Sequence, residues 1–250
     1  MGKVQWVPWW WAAAGYAGLL LIGVGVPLSP TARAAGVAYL VVSTLLLTIG
    51  LRRRRARRFG AANAVTATRS MLVGFVTALT AAALEGTAST ALLVTLVTIA
   101  LLLDGVDGYV ARRTGSESEL GARFDMEVDA FLLLVLCVYD VRFVGWWVLS
   151  IGLLRYAFIA AGWLLPWMRE TLPPRYWRKV VTAVCGVALA VVASQLLPPP
   201  ANAAVALVAL LLVLESFGRD VVWLVRLNLA GPALVSLEKA STTSPQEESR

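Results

Sequence analysis

Residues 104–129 read DGVDGYVARRTGSESELGARFDMEVD, and this stretch carries four aspartates at helical spacing. Asp104 and Asp107 are three residues apart, and Asp125 and Asp129 are four apart. Either spacing puts two side chains on one face of a helix, with Cβ atoms about 5–6 Å apart. A short polar segment separates the two pairs, which predicts two antiparallel helices. The two pairs of carboxylates can therefore face each other.

The sequence around this stretch is strongly apolar. Of its 250 residues 59% are hydrophobic and only 15% are charged, whereas soluble domains average about 45–50% and about 25%. Because a membrane span needs about 20 mostly apolar residues, we predict an all-α, polytopic integral membrane helix bundle. The expected spans are residues 9–28, 34–51, 64–84, 89–104, 125–139, 143–167, 180–197 and 203–217.

The positive charge of the chain, +7 in total, is distributed unevenly along these spans. Eight spans put both termini on one side of the membrane, and only Arg33 and Arg142 of the 22 basic residues fall on the other side. Lys and Arg gather in cytoplasmic loops, so both termini are predicted to be cytoplasmic. A dense basic cluster then contacts anionic lipid rather than nucleic acid: Arg52, Arg53, Arg54, Arg55, Arg57 and Arg58.

The residue types available for chemistry are few. The chain has no histidine, which excludes His-based zinc sites and Ser–His–Asp triads. Carboxylates near a membrane are costly unless they are paired or bind cations, and all-oxygen ligation favours Mg²⁺ or Mn²⁺. The alternative is four solvated aspartates that cap helices, with Asp125 as an N-cap. Asp104 does not fit that alternative, because a helix C-terminus disfavours negative charge.

The full pattern is Asp104-x2-Asp107-Gly108-x2-Ala111-Arg112-x8-Gly121-x3-Asp125-x3-Asp129. It resembles the signature of the CDP-alcohol phosphotransferase family at every fixed position. Residues 63–69, NAVTATR, are similar to the stretch that opens the first core helix of that family. The resemblance implies a six-helix core over residues 62–230, after an extension of two spans over residues 1–61. The polar residues 231–250 are expected to form a disordered cytoplasmic tail.

The resemblance also implies a reaction and its residues. An alcohol hydroxyl attacks CDP-diacylglycerol at the lipid-bearing phosphorus, and CMP leaves. The implied ligands of two divalent ions, Mg²⁺ or Mn²⁺, are Asp104, Asp107, Asp125 and Asp129, and Asp129 is also the expected general base. The expected CDP-binding residues are Asn63, Thr66, Arg69, Gly108, Ala111, Arg112 and Gly121.

Basic residues later in the chain are candidates for binding the acceptor alcohol, such as glycerol 3-phosphate or inositol phosphate: Arg155, Arg175, Arg178 and Lys179. A buried arginine in a span is by default a functional hypothesis, but Arg155 is equally compatible with an ion pair to Glu215. Glu127 is an extra carboxylate, expected to pair with Arg123 or to face the headgroup. The residues around Asp129, MEVDAF, match neither phosphatidylglycerophosphate nor phosphatidylserine synthases, which leaves the acceptor open.

Two alternatives accompany this interpretation. One is transfer from CDP-choline or CDP-ethanolamine to diacylglycerol, and the other is a polytopic transporter with a cation site. Against a transporter, the acids cluster at one membrane face and no internal repeat is visible. We expect a homodimer in a bacterial inner membrane, with its active site facing the cytoplasm.

Overall fold

In the part of the chain that the structure describes, the apolar runs fold into eight α-helices. The computed structural model describes residues 7–53, 61–114, 119–170, 172–173 and 176–242, with side chains for 7–53, 64–106, 120–170, 172–173 and 176–229. The helices are α1 (Val7–Gly25), α2 (Pro30–Arg53), α3 (Ala61–Leu84), α4 (Thr90–Thr114), α5 (Glu119–Val144), α6 (Leu149–Leu164), α7 (Tyr176–Ser194) and α8 (Pro199–Thr242). Two short 3-10 helices, Trp146–Val148 and Pro166–Arg169, flank α6.

Six of these helical segments are long and apolar enough to cross a membrane: Val7–Gly25, Pro30–Arg53, Ala64–Leu84, Trp146–Leu164, Tyr176–Ser194 and Pro199–Leu229. The apolar part of α4, Thr90–Val106, is shorter. Helix α5 carries charges near both ends, but its 26 residues extend about 39 Å, longer than the ~30 Å hydrocarbon layer. The predicted all-α, polytopic membrane helix bundle is confirmed.

Helix α3 lies at the centre of the bundle and packs against α1, α2, α4 and α5. Glycines permit the closest approaches between helices. A Cβ atom on Gly36 of α2 would lie 2.9 Å from the carbonyl oxygen of Gly74 in α3. A Cβ atom on Gly152 of α6 would lie 2.7 Å from the Cα atom of Leu134 in α5. Small residues bring membrane helices together in this way, and they fix the depth at which the polar residues of each helix lie.

The turns at the end of the bundle away from the aspartates follow ordinary turn chemistry. The Ser29 hydroxyl accepts a hydrogen bond from the Ala32 amide at 3.0 Å and caps α2. Helix α3 ends at Leu84, and Gly86 in the following turn has a φ of +80°, which favours glycine. Hydrogen bonds from Ser29 and Thr31 lower the pKa of the exposed Glu85. These contacts join the start of α2 to the turn between α3 and α4.

Three boundaries differ from those expected. Helix α5 begins at Glu119 rather than near 125, so that Asp125 lies inside the helix and is not its N-cap. The expected sixth span, 143–167, is divided between α6 and the two 3-10 helices. Helix α8 runs to Thr242, into the tail expected to be disordered from residue 231, because residues 233–240 are rich in strong helix formers. Residues 243–250 lie outside the described part of the chain.

Candidate active site

Three neighbouring helices bring their polar residues to one end of the bundle. Arg69 lies near the start of α3, Asp104 lies in the second half of α4, and Asp125 and Asp129 lie near the start of α5. Because successive helices run in opposite directions, the start of α3, the end of α4 and the start of α5 meet at the same end. The expected convergence of aspartates from α4 and α5 is therefore observed for Asp104, Asp125 and Asp129.

The Arg69 side chain is 1% exposed and forms the centre of this cluster. Its Nη1 atom lies 3.0 Å from Oδ1 of Asp104 and also donates a hydrogen bond to Oδ1 of Asp125. Its Nη2 atom donates to Oδ1 of Asp129. A guanidinium has five N–H donors in a planar fork, which suits it to several carboxylates at once. One side chain of α3 thus connects α4 and α5 and partly neutralises three negative charges.

The three carboxylates also fit a divalent cation. One oxygen from each of Asp104, Asp125 and Asp129 lies within 4.8 Å of the other two. That separation is close to twice the metal–oxygen bond length of about 2.0–2.6 Å for Mg²⁺ and Ca²⁺. The donor set is entirely oxygen, as Mg²⁺ and Mn²⁺ prefer. A cation bound there replaces the guanidinium as the main neutralising charge or shares the oxygens with it.

Several predicted site residues have side chains outside the described part of the structure: Asn63, Asp107, Gly108, Ala111, Arg112 and Arg175. The backbone nevertheless places residues 107–112 in the last two turns of α4 and residue 63 in the first turn of α3. Gly121 lies in the first turn of α5, and Thr66 is buried on α3, three residues before Arg69. These positions border the aspartate cluster on both sides.

Arg155 of α6 pairs with Glu127 of α5, with Nη2 and Oε1 2.5 Å apart. Among the described residues Arg155 therefore pairs with Glu127 and not with Glu215, and the pairing of Glu127 with Arg123 stays a prediction. The α5–α6 contact at Gly152 brings these two side chains together. The Nε atom of Arg155 is buried without a hydrogen-bond partner among the described residues.

Residues of the proposed acceptor region at the start of α7 form ion pairs and hydrogen bonds with other parts of the protein. Arg178 lies 3.5 Å from Asp220 of α8 and donates a second hydrogen bond to the carbonyl of Pro173. Glu215 of α8 pairs with Arg219 and accepts a hydrogen bond from the Trp177 indole at 2.9 Å. The Lys179 side chain is exposed. The α7–α8 contacts thus account for Arg178 and Glu215, at the same end of the bundle as the aspartates.

The role of Arg69 as partner of the carboxylates was not predicted, because the resemblance associates it with the nucleotide. The signal was present in the sequence: an arginine followed by the apolar run of α3 requires an acidic partner inside the membrane. Which acid it contacts depends on how α3 crosses α5, and residue spacing within one helix does not encode that crossing.

Comparisons with known proteins agree with this geometry. The profile described as CDP-alcohol phosphatidyltransferase matches residues 59–216, which is more than half of the chain and includes α3 to α7 and part of α8. No curated protein matches significantly, and no solved structure does. Helices α1 and α2 lie before the matched region. Members of the matched family use CDP-alcohol substrates and generally a divalent metal. The chain belongs to the CDP-alcohol phosphatidyltransferase family.

Proposed function

We propose that this protein transfers the phosphatidyl group of CDP-diacylglycerol to the hydroxyl of an anionic alcohol and releases CMP. The observation that carries the proposal is the convergence of Asp104, Asp125 and Asp129 from two helices on one point, within a chain of this family. A phosphoryl transfer site needs concentrated positive charge for the phosphates. The carboxylates recruit that charge in the form of cations.

The protein supplies the general base for the reaction and the side chain that holds this base in position. The acceptor oxygen forms a bond to the lipid-bearing phosphorus, the bond from this phosphorus to the CMP oxygen breaks, and CMP leaves with the electron pair. The proton of the acceptor hydroxyl goes to a carboxylate of Asp129, since the chain has no histidine. Arg69 holds Asp129 and Asp125 in place from α3.

Divalent cations, held by Asp104, Asp107, Asp125 and Asp129, supply charge stabilisation of the pyrophosphate when bound. We propose that Asn63, Thr66, Gly108, Ala111, Arg112 and Gly121 surround the CDP moiety. Small residues at 108, 111 and 121 leave room beside the helices for a nucleotide. Arg112 is a candidate partner of a phosphate oxygen, since a guanidinium matches phosphate in a bidentate geometry.

The anionic acceptor is inferred from Arg155. Its Nη2 atom binds Glu127, while its buried Nε atom has no hydrogen-bond partner among the described residues. A buried donor without a partner costs free energy, and an incoming phosphate or carboxylate oxygen relieves that cost. Glu127 is half exposed and lies two residues before Asp129. We propose that an anion held by Arg155 presents its hydroxyl to the end of the bundle that carries Asp129. Arg175, which precedes α7, and Lys179, in the first turn of α7, are further candidates.

The arrangement in the cell is part of the same proposal. Arg52 and Arg53 end α2 at the end of the bundle that carries the aspartates. By the positive-inside rule this end faces the cytoplasm of a bacterial inner membrane. We further propose that residues 1–61, 62–230 and 231–250 are an extension, a catalytic core and a tail, and that the protein acts as a homodimer.

The deciding experiment measures CMP release by the purified full chain in detergent with Mg²⁺ or Mn²⁺. CDP-diacylglycerol is offered with a panel of anionic and neutral alcohols, and the lipid product is identified by mass spectrometry. We expect CMP release that depends on an anionic alcohol and stops with EDTA. No alcohol-dependent CMP release by the wild-type chain across the panel contradicts the proposal.

The second candidate reaction is headgroup transfer from CDP-choline or CDP-ethanolamine to diacylglycerol. It uses the same carboxylates and differs in which substrate carries the nucleotide. Arg155 disfavours it, because diacylglycerol has no anionic group for the Arg155 guanidinium to bind. Assays with both kinds of donor separate the two reactions: a phosphocholine or phosphoethanolamine lipid product formed from diacylglycerol would establish the second.

A further inference from the structure

Helix α2 lies outside the region matched to the family, yet one of its side chains reaches the layer of the carboxylates. The ring of Tyr39 stacks on Phe131 of α5, with centroids 4.6 Å apart and planes 22° apart. Its hydroxyl lies 3.3 Å from the hydroxyl of Ser70 in α3. Tyr39 therefore contacts both helices that carry the Arg69–Asp129 pair.

These two contacts are adjacent in sequence to the pair itself. Ser70 follows Arg69 on α3, and Phe131 lies two residues after Asp129 on α5. The phenol of Tyr39 also lies within electrostatic range of Arg69 and Asp129, and of Tyr156 on α6. Tyr39 thus occupies a point where four helices meet, beside the proposed base and the helix of the proposed acceptor arginine.

The packing of α2 on α3 holds Tyr39 at this point. A Cβ atom on Gly74 would lie 2.8 Å from Cδ2 of Leu40 and 3.4 Å from Cδ1 of Tyr39. Gly74 on α3 therefore leaves space for the side chains of α2 to pack closely against α3. Leu40 is buried in the same contact, which fixes the backbone of α2 next to Tyr39.

We propose that Tyr39 is a positioning residue of the transfer site, which acts through Arg69 and Asp129. This inference rests on the proposed function. The ring holds α5 through Phe131, and the hydroxyl holds α3 through Ser70, so that the guanidinium and the carboxylate stay in register. A displacement of about 1 Å at a reacting group can cost about a hundred-fold in rate. The extension of two helices would then be a part of the active site and not only an anchor.

The test uses the full chain with three substitutions. Tyr39→Leu removes both contacts, Tyr39→Phe removes only the hydroxyl, and Tyr16→Phe is the matched control. Tyr16 lies in the same extension on α1, where it is half exposed. The kcat for CMP release, the KM for the acceptor and the Mn²⁺ affinity by electron paramagnetic resonance are measured for each, and all values are corrected for the folded fraction.

We expect Tyr39→Leu to lower kcat about ten-fold or more and to weaken Mn²⁺ binding several-fold, with the acceptor KM nearly unchanged. Tyr39→Phe should lower kcat only several-fold, and adding Ser70→Ala to it should lower kcat no further, because both changes remove one hydrogen bond. Tyr16→Phe should match the wild type in every measurement.

The proposal is overturned if Tyr39→Leu keeps the kcat and the Mn²⁺ affinity of Tyr16→Phe while only its thermal stability falls. In that case Tyr39 serves packing alone. If Tyr39→Leu does not fold, the kcat of Tyr39→Phe and its cycle with Ser70→Ala decide. If the wild type releases no CMP, the proposed function fails, and the Mn²⁺ affinities of the same variants still decide whether Tyr39 positions the carboxylates.

Discussion

Arg69 and Asp129, 60 residues apart in the chain, are joined by an ion pair between Nη2 and Oδ1. The arginine is buried, whereas the aspartate side chain keeps 23% of its surface exposed. The positive partner is therefore fixed inside the bundle, and the negative partner is partly accessible from outside it. This asymmetry suits a site where the carboxylate exchanges ligands and protons while the guanidinium stays in place.

The first prediction concerns the proposed base. Asp129→Asn retains the size of the side chain but removes its negative charge, so that it accepts no proton at neutral pH. We expect kcat to fall at least about a hundred-fold, the lower end of the range for general acid–base catalysis, while nucleotide binding is largely retained. CMP release and equilibrium binding of a CDP compound measure the two effects. Activity near that of the wild type would show that another group takes the proton.

The second prediction separates Arg69 from the carboxylates that it neutralises. Arg69→Gln leaves three partly exposed carboxylates facing one another, and breaking a buried ion pair costs about 3–5 kcal/mol. We expect the free energy of unfolding to fall by about 2–3 kcal/mol, because the partial exposure of the aspartates reduces that cost. Thermal unfolding of the purified protein without divalent cations measures it.

The same variant should respond more strongly to metal. A divalent cation takes over the neutralisation that Arg69 provides, so Mn²⁺ should raise the Tm of Arg69→Gln more than that of the wild type. Arg69→Lys keeps one positive charge and should give an intermediate shift. An equal Mn²⁺ shift in all three proteins would mean that the guanidinium and the cation do not compete for the same oxygens.

These residues also show what residue spacing can and cannot predict. The i,i+4 interval of Asp125 and Asp129 is a property of a single helix, so their shared face on α5 could be predicted directly. The bond from Arg69 to Asp129 and the bond from Arg155 to Glu127 join different helices. Their pairing depends on crossing angles and rotations, which small residues such as Gly152 determine in the folded bundle.

The ends of a helix could be predicted from the sequence only where the apolar run and the helix end at the same residues. Helix α5 begins at Glu119 and α8 runs to Thr242, beyond the apolar windows in both cases. Polar helix formers continue a helix outside the membrane without any change in backbone hydrogen bonding. The role of Tyr39 could not be predicted from the sequence, because an aromatic residue in an apolar span usually contributes only to packing.

The third prediction tests the acceptor side. Arg155→Gln removes the positive charge proposed to bind the acceptor, and we expect the KM for an anionic acceptor to rise about ten-fold or more, with the KM for CDP-diacylglycerol little changed. Initial rates at varied concentrations of each substrate give both values. Arg219→Gln is the matched control, since Arg219 is exposed and pairs with Glu215 on its own helix. An equal rise in both KM values would indicate a general disturbance of α5 and α6.

The fourth prediction concerns the contact that brings α6 onto α5. A Cβ atom on Gly152 would meet the backbone of Leu134 at 2.7 Å, so Gly152→Ala should cost about 1–3 kcal/mol of stability through overpacking. Gly23→Ala is the control, because nothing lies within 4 Å of a Cβ atom there. Alanine is the better helix former, so the control should unfold at the same temperature or slightly higher. Equal Tm values for the two variants would contradict the close approach.

The burial of Arg69 also bears on how the protein is made. An arginine within a span costs up to about 2.5–3.5 kcal/mol on insertion scales, the value at the helix centre, and its carboxylate partners on α5 emerge 56 and 60 residues later in synthesis. When α3 enters the bilayer, only α1 and α2 are present to pack against it. The close approach of Gly36 and Gly74 offers α3 a surface on α2 against which to pack. We therefore expect the insertion of α3 to be completed only together with α4 and α5, whose carboxylates neutralise the guanidinium.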